Sequence, residues 1–334
     1  MKIAIVGCGS IAKTHGEVIS KLPGNQIVAV ADCKLEAAES LVKHFKDDTC
    51  EIYASLEEMV AEQEIDVLHI CTPHHLHVPM AIYALEHNIN VLMEKPPAIS
   101  KEQFQKLQSV TTNAKLGVCF QNRYNKSVEV IKALLDSGQA GKILGARAVV
   151  TWQRNEDYYV GSEWKGHLDT EGGGALINQA IHTLDLLGYF IGEPTAVEAT
   201  TINHHLKGIV EVEDTIEAYI KFDDIAVSFY ATTAFCTNSP ILLELVCENR
   251  TIRIEGNEVT YIFYDGTRET LDFEAEGHTG KDYWGNGHFA CIKDFYNCLE
   301  KDMPFKIDVN EVARVQHLML GIYESAKSKS VVYL

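Results

Sequence analysis

The chain has 334 residues, 46% hydrophobic and 23% charged, enough for two domains of ordinary size. Its 29 Lys+Arg against 47 Asp+Glu give a net charge of −18, a field that repels phosphodiester backbones and anionic bilayers and so excludes nucleic acid and membrane as expected partners. Nine scattered cysteines with no C-x-x-C pair read as reduced thiols. The first apolar run, Ile3 to Val6, is too short for a signal-peptide core, and no run approaches the ~20 apolar residues of a membrane span, so cytoplasmic residence is expected.

The N-terminus carries the densest signal. Ile3–Val6 is a strand that runs into Gly7-x-Gly9-x-x-Ala12, and a second apolar run, Ile27–Ala31, ends on Asp32. Gly7 permits the tight turn, Gly9 lets a pyrophosphate approach the backbone, and Ala12 lets the new helix pack on the sheet. The helix N-terminus at Ser10 and Ile11 then faces the phosphates with unpaired N–H groups. Asp32 lies roughly 20 residues past the glycines, where a carboxylate accepts from ribose hydroxyls and repels a 2′-phosphate, so NAD is preferred over NADP.

Up to residue 121 short β-rich runs alternate with amphipathic helical ones. Strands are expected at Val67–Cys71, Asn90–Met93 and Leu116–Phe120 besides the first two. Helices are expected at Ile11–Lys21, Leu35–Phe45, Leu56–Glu62 behind the box Ser55-x-x-Glu58, Val78–His87, and Lys101–Thr111 behind Ser100-x-x-Gln103. This predicts a doubly wound parallel α/β domain over residues 1–121. From residue 122 the rhythm changes. A helix (Ser127–Ser137), a strand (Ile143–Trp152) and a helix after Gly172-Gly173-Gly174 precede strands at Thr195–Asn203, Ile216–Phe222, Ala226–Thr233, Leu242–Cys247, Thr251–Glu255 and Val259–Tyr264. Helices His288–Glu300 and Val309–Lys327 and a short strand Val331–Tyr333 close the chain. Residues 122–334 are therefore expected to form an α/β domain with an open, largely antiparallel sheet.

Chemistry is expected where strands end. Thr72-Pro73-His74-His75-Leu76-His77 follows one strand and Glu94-Lys95-Pro96-Pro97 another, both at the carboxyl edge where open α/β sheets bind ligands. A partly desolvated Lys95 there can exchange a proton with a hydroxyl or carbonyl. His74 and His77 lack a Cys or carboxylate at metal-ligand spacing, so no metal is expected, and His204-His205 reads as surface. In the second half, Asn178 and His182 are four apart, hence on one helical face. Trp152, Arg154, Tyr158, Tyr159, Trp164 and Lys165 combine aromatic faces, which stack on sugar C–H surfaces, with positive charge for a carboxylate or phosphate. Packing is the equal alternative for the tryptophans.

Taken together, Gly7-x-Gly9-x-x-Ala12, Thr72-Pro73-His74-x-x-His77, Glu94-Lys95-Pro96, Gln121-x-Arg123, Gly172-Gly173-Gly174 leading to His182, and Ile322-Tyr323-Glu324-Ser325-Ala326 resemble the Gfo/Idh/MocA oxidoreductase family over essentially the whole chain. The resemblance implies a Rossmann domain, a second domain whose open sheet forms subunit interfaces, and an active site between them. It implies NAD-dependent oxidation or reduction of a secondary alcohol on a sugar, nucleotide sugar or cyclitol, with Lys95 and His182 as catalytic residues. Gly7, Gly9, Ser10, Ile11, Ala12, Asp32, Thr72, Pro73, His74, His77, Glu94 and Lys95 would line the cofactor. Arg123, Asn178, Arg154, Tyr158 and Trp164 would face a small carbohydrate-like substrate. A homodimer or homotetramer is expected. Many inositol-dehydrogenase-like members have Asp where this chain has Asn178, and an amide cannot take a substrate proton, so a Lys/Asp/His relay does not carry over intact. The alternatives are NAD-dependent glycoside cleavage on the same fold and a non-catalytic cofactor-binding regulator.

Overall fold

Hydrophobic patterning resolves into two separate sheets in the computed structural model, which describes residues 1–46, 49–271, 273 and 287–334. The first has six parallel strands: β1 (Lys2–Val6), β2 (Gln26–Ala31), β3 (Glu51–Tyr53), β4 (Val67–Ile70), β5 (Asn90–Glu94) and β6 (Leu116–Cys119). Their spatial order is β3-β2-β1-β4-β5-β6, so the chain reverses direction across the sheet between β1 and β4. Ile3, Ala4, Ile5, Val67, Leu68 and Ile70 are fully buried, because helices cover both faces and the strands read as unbroken apolar runs. The connecting helices are α1 (Ser10–Ile19), α2 (Leu35–Phe45), α3 (Leu56–Glu62), α4 (His77–Glu86) and α5 (Lys101–Gln108). Both expected N-caps form: Glu58 N–H donates to Ser55 Oγ and Gln103 N–H to Ser100 Oγ, each over 3.2 Å, while the Glu58 and Gln103 side chains reach back one residue further than a capping box, accepting from Ala54 N–H and Ile99 N–H.

The second sheet has nine strands. They are β7 (Ile143–Thr151), β8 (Ala196–Ile202), β9 (Thr215–Phe222), β10 (Ile225–Thr232), β11 (Leu242–Cys247), β12 (Thr251–Glu255), β13 (Glu258–Ile262), β14 (Arg268–Leu271) and β15 (Val332–Tyr333), in the order β14-β13-β12-β11-β7-β10-β9-β8-β15. Every pair is antiparallel except β7 with β10. Helix α6 (Lys126–Asp136) precedes this sheet, α7 (Ile181–Ile191) packs on β7, and the last two helices are α8 (Gly287–Glu300) and α9 (Ala313–Ser328), the latter lying on β8. Along β9, Ile216, Ala218, Ile220 and Phe222 are buried while Glu217, Tyr219 and Lys221 are exposed, the period-2 pattern of a sheet covered on one face.

Three differences from the sequence expectation have local causes. The short edge strands β3 and β14 were not expected; β14 is three-quarters exposed and shows no apolar alternation. The last long helix begins at Ala313, not Val309, because the Asp308 carboxylate accepts from the N–H groups of Asn310 and Glu311 and holds a turn there. The third concerns the division of the chain. The first compact unit takes in Met1–Gln121 and also the stretch containing α8 up to Val312; the second resumes at Ala313. Helix α8 lies against α1 and β6, Tyr296 OH meets His69 Nε2 at 2.8 Å, and Val118 N–H donates to Ile307 O over 3.0 Å. A boundary drawn once at 121/122 therefore misses a return of the chain that buries Cys291, Ile292 and Phe295 in the first core.

Candidate active site

The carboxyl edge of the parallel sheet gathers the N-terminal residues. Gly7 has φ +84°, and a Cβ there would stand 2.7 Å from the backbone of Cys71 and Thr72, so only glycine fits where β1 and β4 part. Gly9 is the opposite case: nothing lies within 4 Å of where its Cβ would be, which leaves open room over the start of α1. That helix has no side-chain cap and no acid in its first turn, so its N–H groups and partial charge remain available to an anion. Ser10 is exposed, Ile11 half-buried, and Ala12 fully buried, as close helix–sheet packing requires. Asp32 is held by two N–H groups, that of Cys8 to Oδ2 and that of Lys34 to Oδ1, both at 2.8 Å. The Cys33 thiol also lies 3.7 Å from Oδ1, and a carboxylate has about four lone-pair directions, so acceptor capacity remains for ribose hydroxyls. Thr72 Oγ1 is buried and has no hydrogen-bond partner among the described residues. An orphaned hydroxyl and an open glycine cradle on one edge fit a dinucleotide.

The chain segments that follow β4 and β5 are clasped together. His77 is fully buried, with Nδ1 2.9 Å from Pro96 O and Nε2 2.9 Å from Thr72 O. Burial lowers its pKa, opposed by the two carbonyls. Both ring nitrogens are directed at these backbone carbonyls, and a neutral imidazole donates to one of them at a time, so His77 bridges the Thr72 and Pro96 loops where the sequence expectation has it line the cofactor. Its neighbour His74 is also buried, with Pro73 half-buried between them and Thr72. At the end of β5, Glu94 lies 2.9 Å from His15 Nε2. Burial alone would raise the Glu94 pKa, but the His15 hydrogen bond and charge outweigh it and hold the carboxyl well below the usual range. Lys95 follows, half-buried, with a cis bond to Pro96.

In the second unit, the glycine run exists for close approach. A Cβ on Gly173 would stand 2.1 Å from Tyr323 Oη, and one on Gly174 would stand 1.9 Å from Glu213 O. The chain then enters a π-helical turn, Ala175–Ala180, before continuing as α7, so the expected regular α-helix through Asn178 is wound wider than the four-residue face argument assumes. Glu213, missed from sequence, accepts from Gly174 N–H at 2.9 Å, Leu176 N–H at 3.1 Å and Tyr323 OH at 3.0 Å, supplying the acceptor that this helix start needs, while burial raises its pKa against these donors. Asn178 donates to Glu171 Oε1 over 2.6 Å, and Gly166 N–H donates to Glu171 Oε2 over 2.5 Å. Burial pushes the Glu171 carboxyl up to about 7, against the lowering effect of those two donors. Glu171 was legible only as the acid preceding the glycines. His182 is buried on the first turn of α7.

The aromatic segment does come together. Lys165 Nζ sits 3.8 Å from the Tyr158 ring centroid, the Arg154 guanidinium 5.1 Å from the same ring and 5.3 Å from Trp152, and Tyr158 OH is 3.4 Å from Gln179 Nε2 in the π turn. Trp164 is half-buried, 5.8 Å from Lys165 Nζ. Trp152 is a core residue, its Nε1–H donating to Ser239 O. Arg154 donates to Gln153 O and to Asn238 Oδ1. His205 is exposed as expected, but it also joins this segment to Asp214, with 2.8 Å to Oδ2 and 3.0 Å to Arg154 O. Arg123 departs furthest from expectation. Its guanidinium forms a bidentate pair with Asp185 at 2.8 and 2.6 Å, with both residues buried and Tyr189 stacked 4.7 Å away, so it braces α7 and is not presented to a substrate.

Comparison with known proteins bears on these two constellations. Residues 1–124 match the model for an oxidoreductase family with an NAD-binding Rossmann fold, and residues 128–253 match the GFO/IDH/MocA C-terminal domain. D-glucoside 3-dehydrogenase of Escherichia coli is 24% identical over an alignment of 361 positions, covering 100% of this chain and 97% of that protein. An inositol 2-dehydrogenase of Pseudomonas syringae is 27% identical over 197 residues, 58% of this chain and 55% of the relative. Among solved structures, the WlbA dehydrogenase of Bordetella pertussis in complex with NADH and UDP-GlcNAcA has a TM-score of 0.85 at 27% identity, covering 100% and 98% of the two chains. Levoglucosan dehydrogenase, at 22% identity and a TM-score of 0.89 over 100% and 99%, shares the fold. With the glycine turn, Asp32, the Glu94-Lys95-Pro96 corner and the glycine-led helix of His182 all in place within matched domains, the chain belongs to the Gfo/Idh/MocA oxidoreductase family.

Proposed function

We propose that the protein is an NAD-preferring dehydrogenase that transfers hydride between nicotinamide and a secondary alcohol of a sugar, nucleotide sugar or cyclitol. The observation that carries this reading is the single sheet edge on which Gly7, Gly9, Asp32, Thr72 and Lys95 converge. When bound, NAD supplies the hydride acceptor. Gly9 and the start of α1 hold its pyrophosphate, Asp32 and Thr72 offer hydrogen bonds, and the charge of Asp32 disfavours a 2′-phosphate. In the oxidation direction the alcohol loses a hydride from carbon and a proton from oxygen. Lys95 takes the proton, with His182 as the second titratable group and Asn178 as a hydroxyl-binding amide. That the relatives include enzymes named for glucosides, levoglucosan and inositol supports a polyhydroxylated substrate.

The test is a panel of polyols, sugars and nucleotide sugars assayed with NAD and NADP, with product analysis. Stoichiometric NADH and ketone support the proposal. Release of an aglycone without net cofactor turnover replaces it with glycoside cleavage. Tight NAD binding with no turnover on the whole panel replaces it with a regulatory role.

A further inference from the structure

Beneath the glycine turn the first unit contains a group of side chains that the proposed dehydrogenase chemistry does not use. His15 on α1, Glu94 at the end of β5, Cys119 at the end of β6 and His288 on the first turn of α8 each direct one ligand-type atom to a common point, and these atoms all lie within 4.8 Å of one another. His15 and Cys119 are fully buried, His288 is 1% exposed and Glu94 6%. Four elements far apart in sequence thus place two imidazoles, a thiol and a carboxyl at one buried spot. We propose that this cluster is a zinc(II) site.

The spacing suits one ion. Ligands about 2.0–2.3 Å from a tetrahedral zinc stand about 3.3–3.8 Å from each other. His15 Nε2 and Glu94 Oε1 are 2.9 Å apart and His288 Nε2 and Glu94 Oε1 4.0 Å, so shifts of a few tenths of an ångström bring both pairs to that separation. The donor set is equally specific: nitrogen and sulfur disfavour Mg²⁺ and Ca²⁺, while imidazole, thiolate and carboxylate together suit zinc. Charge closes the case for burial. A dication with one thiolate, one carboxylate and two neutral imidazoles sums to zero, which avoids the cost of a net charge away from water.

The surroundings orient the first ligand. His15 Nδ1 lies 2.7 Å from His69 Nδ1, and His69 Nε2 lies 2.8 Å from Tyr296 OH. If His15 gives the lone pair of Nε2 to the metal, its Nδ1–H donates to His69, whose Nε2–H donates to the tyrosine oxygen, so every nitrogen in the chain is satisfied in one tautomer set. Binding displaces a proton from the Cys119 thiol and any proton held between His15 and Glu94, both passing to solvent. Four protein ligands leave no open position, which makes the site structural: it pins α8 to the Rossmann sheet and immobilises Glu94 next to Lys95.

The full-length chain, stripped with a chelator, reloaded with Zn²⁺ and desalted, should carry about one zinc per chain by elemental analysis and melt at least about 3 °C higher than the stripped form. Cys119→Ser and His288→Gln should each retain less than about a fifth of that zinc. Co²⁺ in the wild-type chain should give the visible bands of a tetrahedral ion and a thiolate-to-metal charge-transfer band. This reading needs no variant to fold. Wild-type protein that retains no zinc, cobalt loading without a thiolate band, or equal zinc in wild type and both folded variants would each overturn the proposal. None of these readouts depends on the substrate.

Discussion

The Asn178 side-chain amide donates to the Glu171 carboxylate over 2.6 Å, across a glycine run whose backbone has no room for a single Cβ at Gly173 or Gly174. The acid is buried and its pKa stands at about 7, above the ordinary 4.5, because desolvation outweighs the two N–H donors. A carboxyl whose folded pKa is raised contributes stability that is fully present below the unfolded value and is lost as pH rises through the folded value. From pH 4.5 to about 7 the wild-type chain should therefore lose on the order of 3 kcal/mol through Glu171. In Glu171→Gln that loss is absent, so the melting temperature of wild type minus variant should fall between pH 5 and pH 8. A difference independent of pH would mean that Glu171 is ionised throughout.

The role proposed for Asp32 in cofactor choice can be tested alone. Removing a charged acceptor of two hydroxyls should weaken NAD binding by about 1–3 kcal/mol in Asp32→Ala and narrow the preference over NADP. The Cys8 and Lys34 N–H groups also lose their acceptor. Calorimetric titration with both cofactors decides the matter, since weakening of NADP by the same factor as NAD would assign the loss to the turn and not to ribose recognition.

For the proton, Lys95→Met should lower turnover by at least about 10²-fold with NAD affinity nearly intact, while Asn178→Ala should chiefly raise the Michaelis constant. Turnover comparable to wild type in Lys95→Met, with chemistry rate-limiting, would move the role to His182.

Arg123 should prove a stability residue. Truncating one partner of a buried bidentate pair leaves the other charge uncompensated, so Arg123→Met should cost about 3–5 kcal/mol, and adding Asp185→Leu should recover part of the loss. Denaturant unfolding of the two singles and the double completes the cycle. Additive losses would show that the pair does not act as a unit.

Self-association is expected through the second sheet. Helices α7 and α9 pack on it, yet alternate β9 residues stay outward, and Leu144 on β7, Val246 on β11 and Ile202 on β8 are 40–52% exposed. Light scattering should return a dimer or tetramer at micromolar concentration. A monomer would mean that this surface is simply solvated.

Much of the protein is written locally. Gly7, Gly9, Ala12 and Asp32 declare a dinucleotide turn because each answers a backbone or hydrogen-bond need within one βαβ unit, and the strands of the first sheet other than the edge strand β3 follow from apolar runs. The caps at Ser55 and Ser100 work over three residues and form as read. The sequence does not determine which polar groups meet once distant segments pack. Nothing near Arg123 announces Asp185, nothing near the glycine run announces Glu213 or Tyr323, and nothing marks His288 as a neighbour of His15 and Glu94. Those partners are set by burial: a charge or imidazole removed from water must find its complement within about 3 Å, and only the tertiary fold decides which residue stands there.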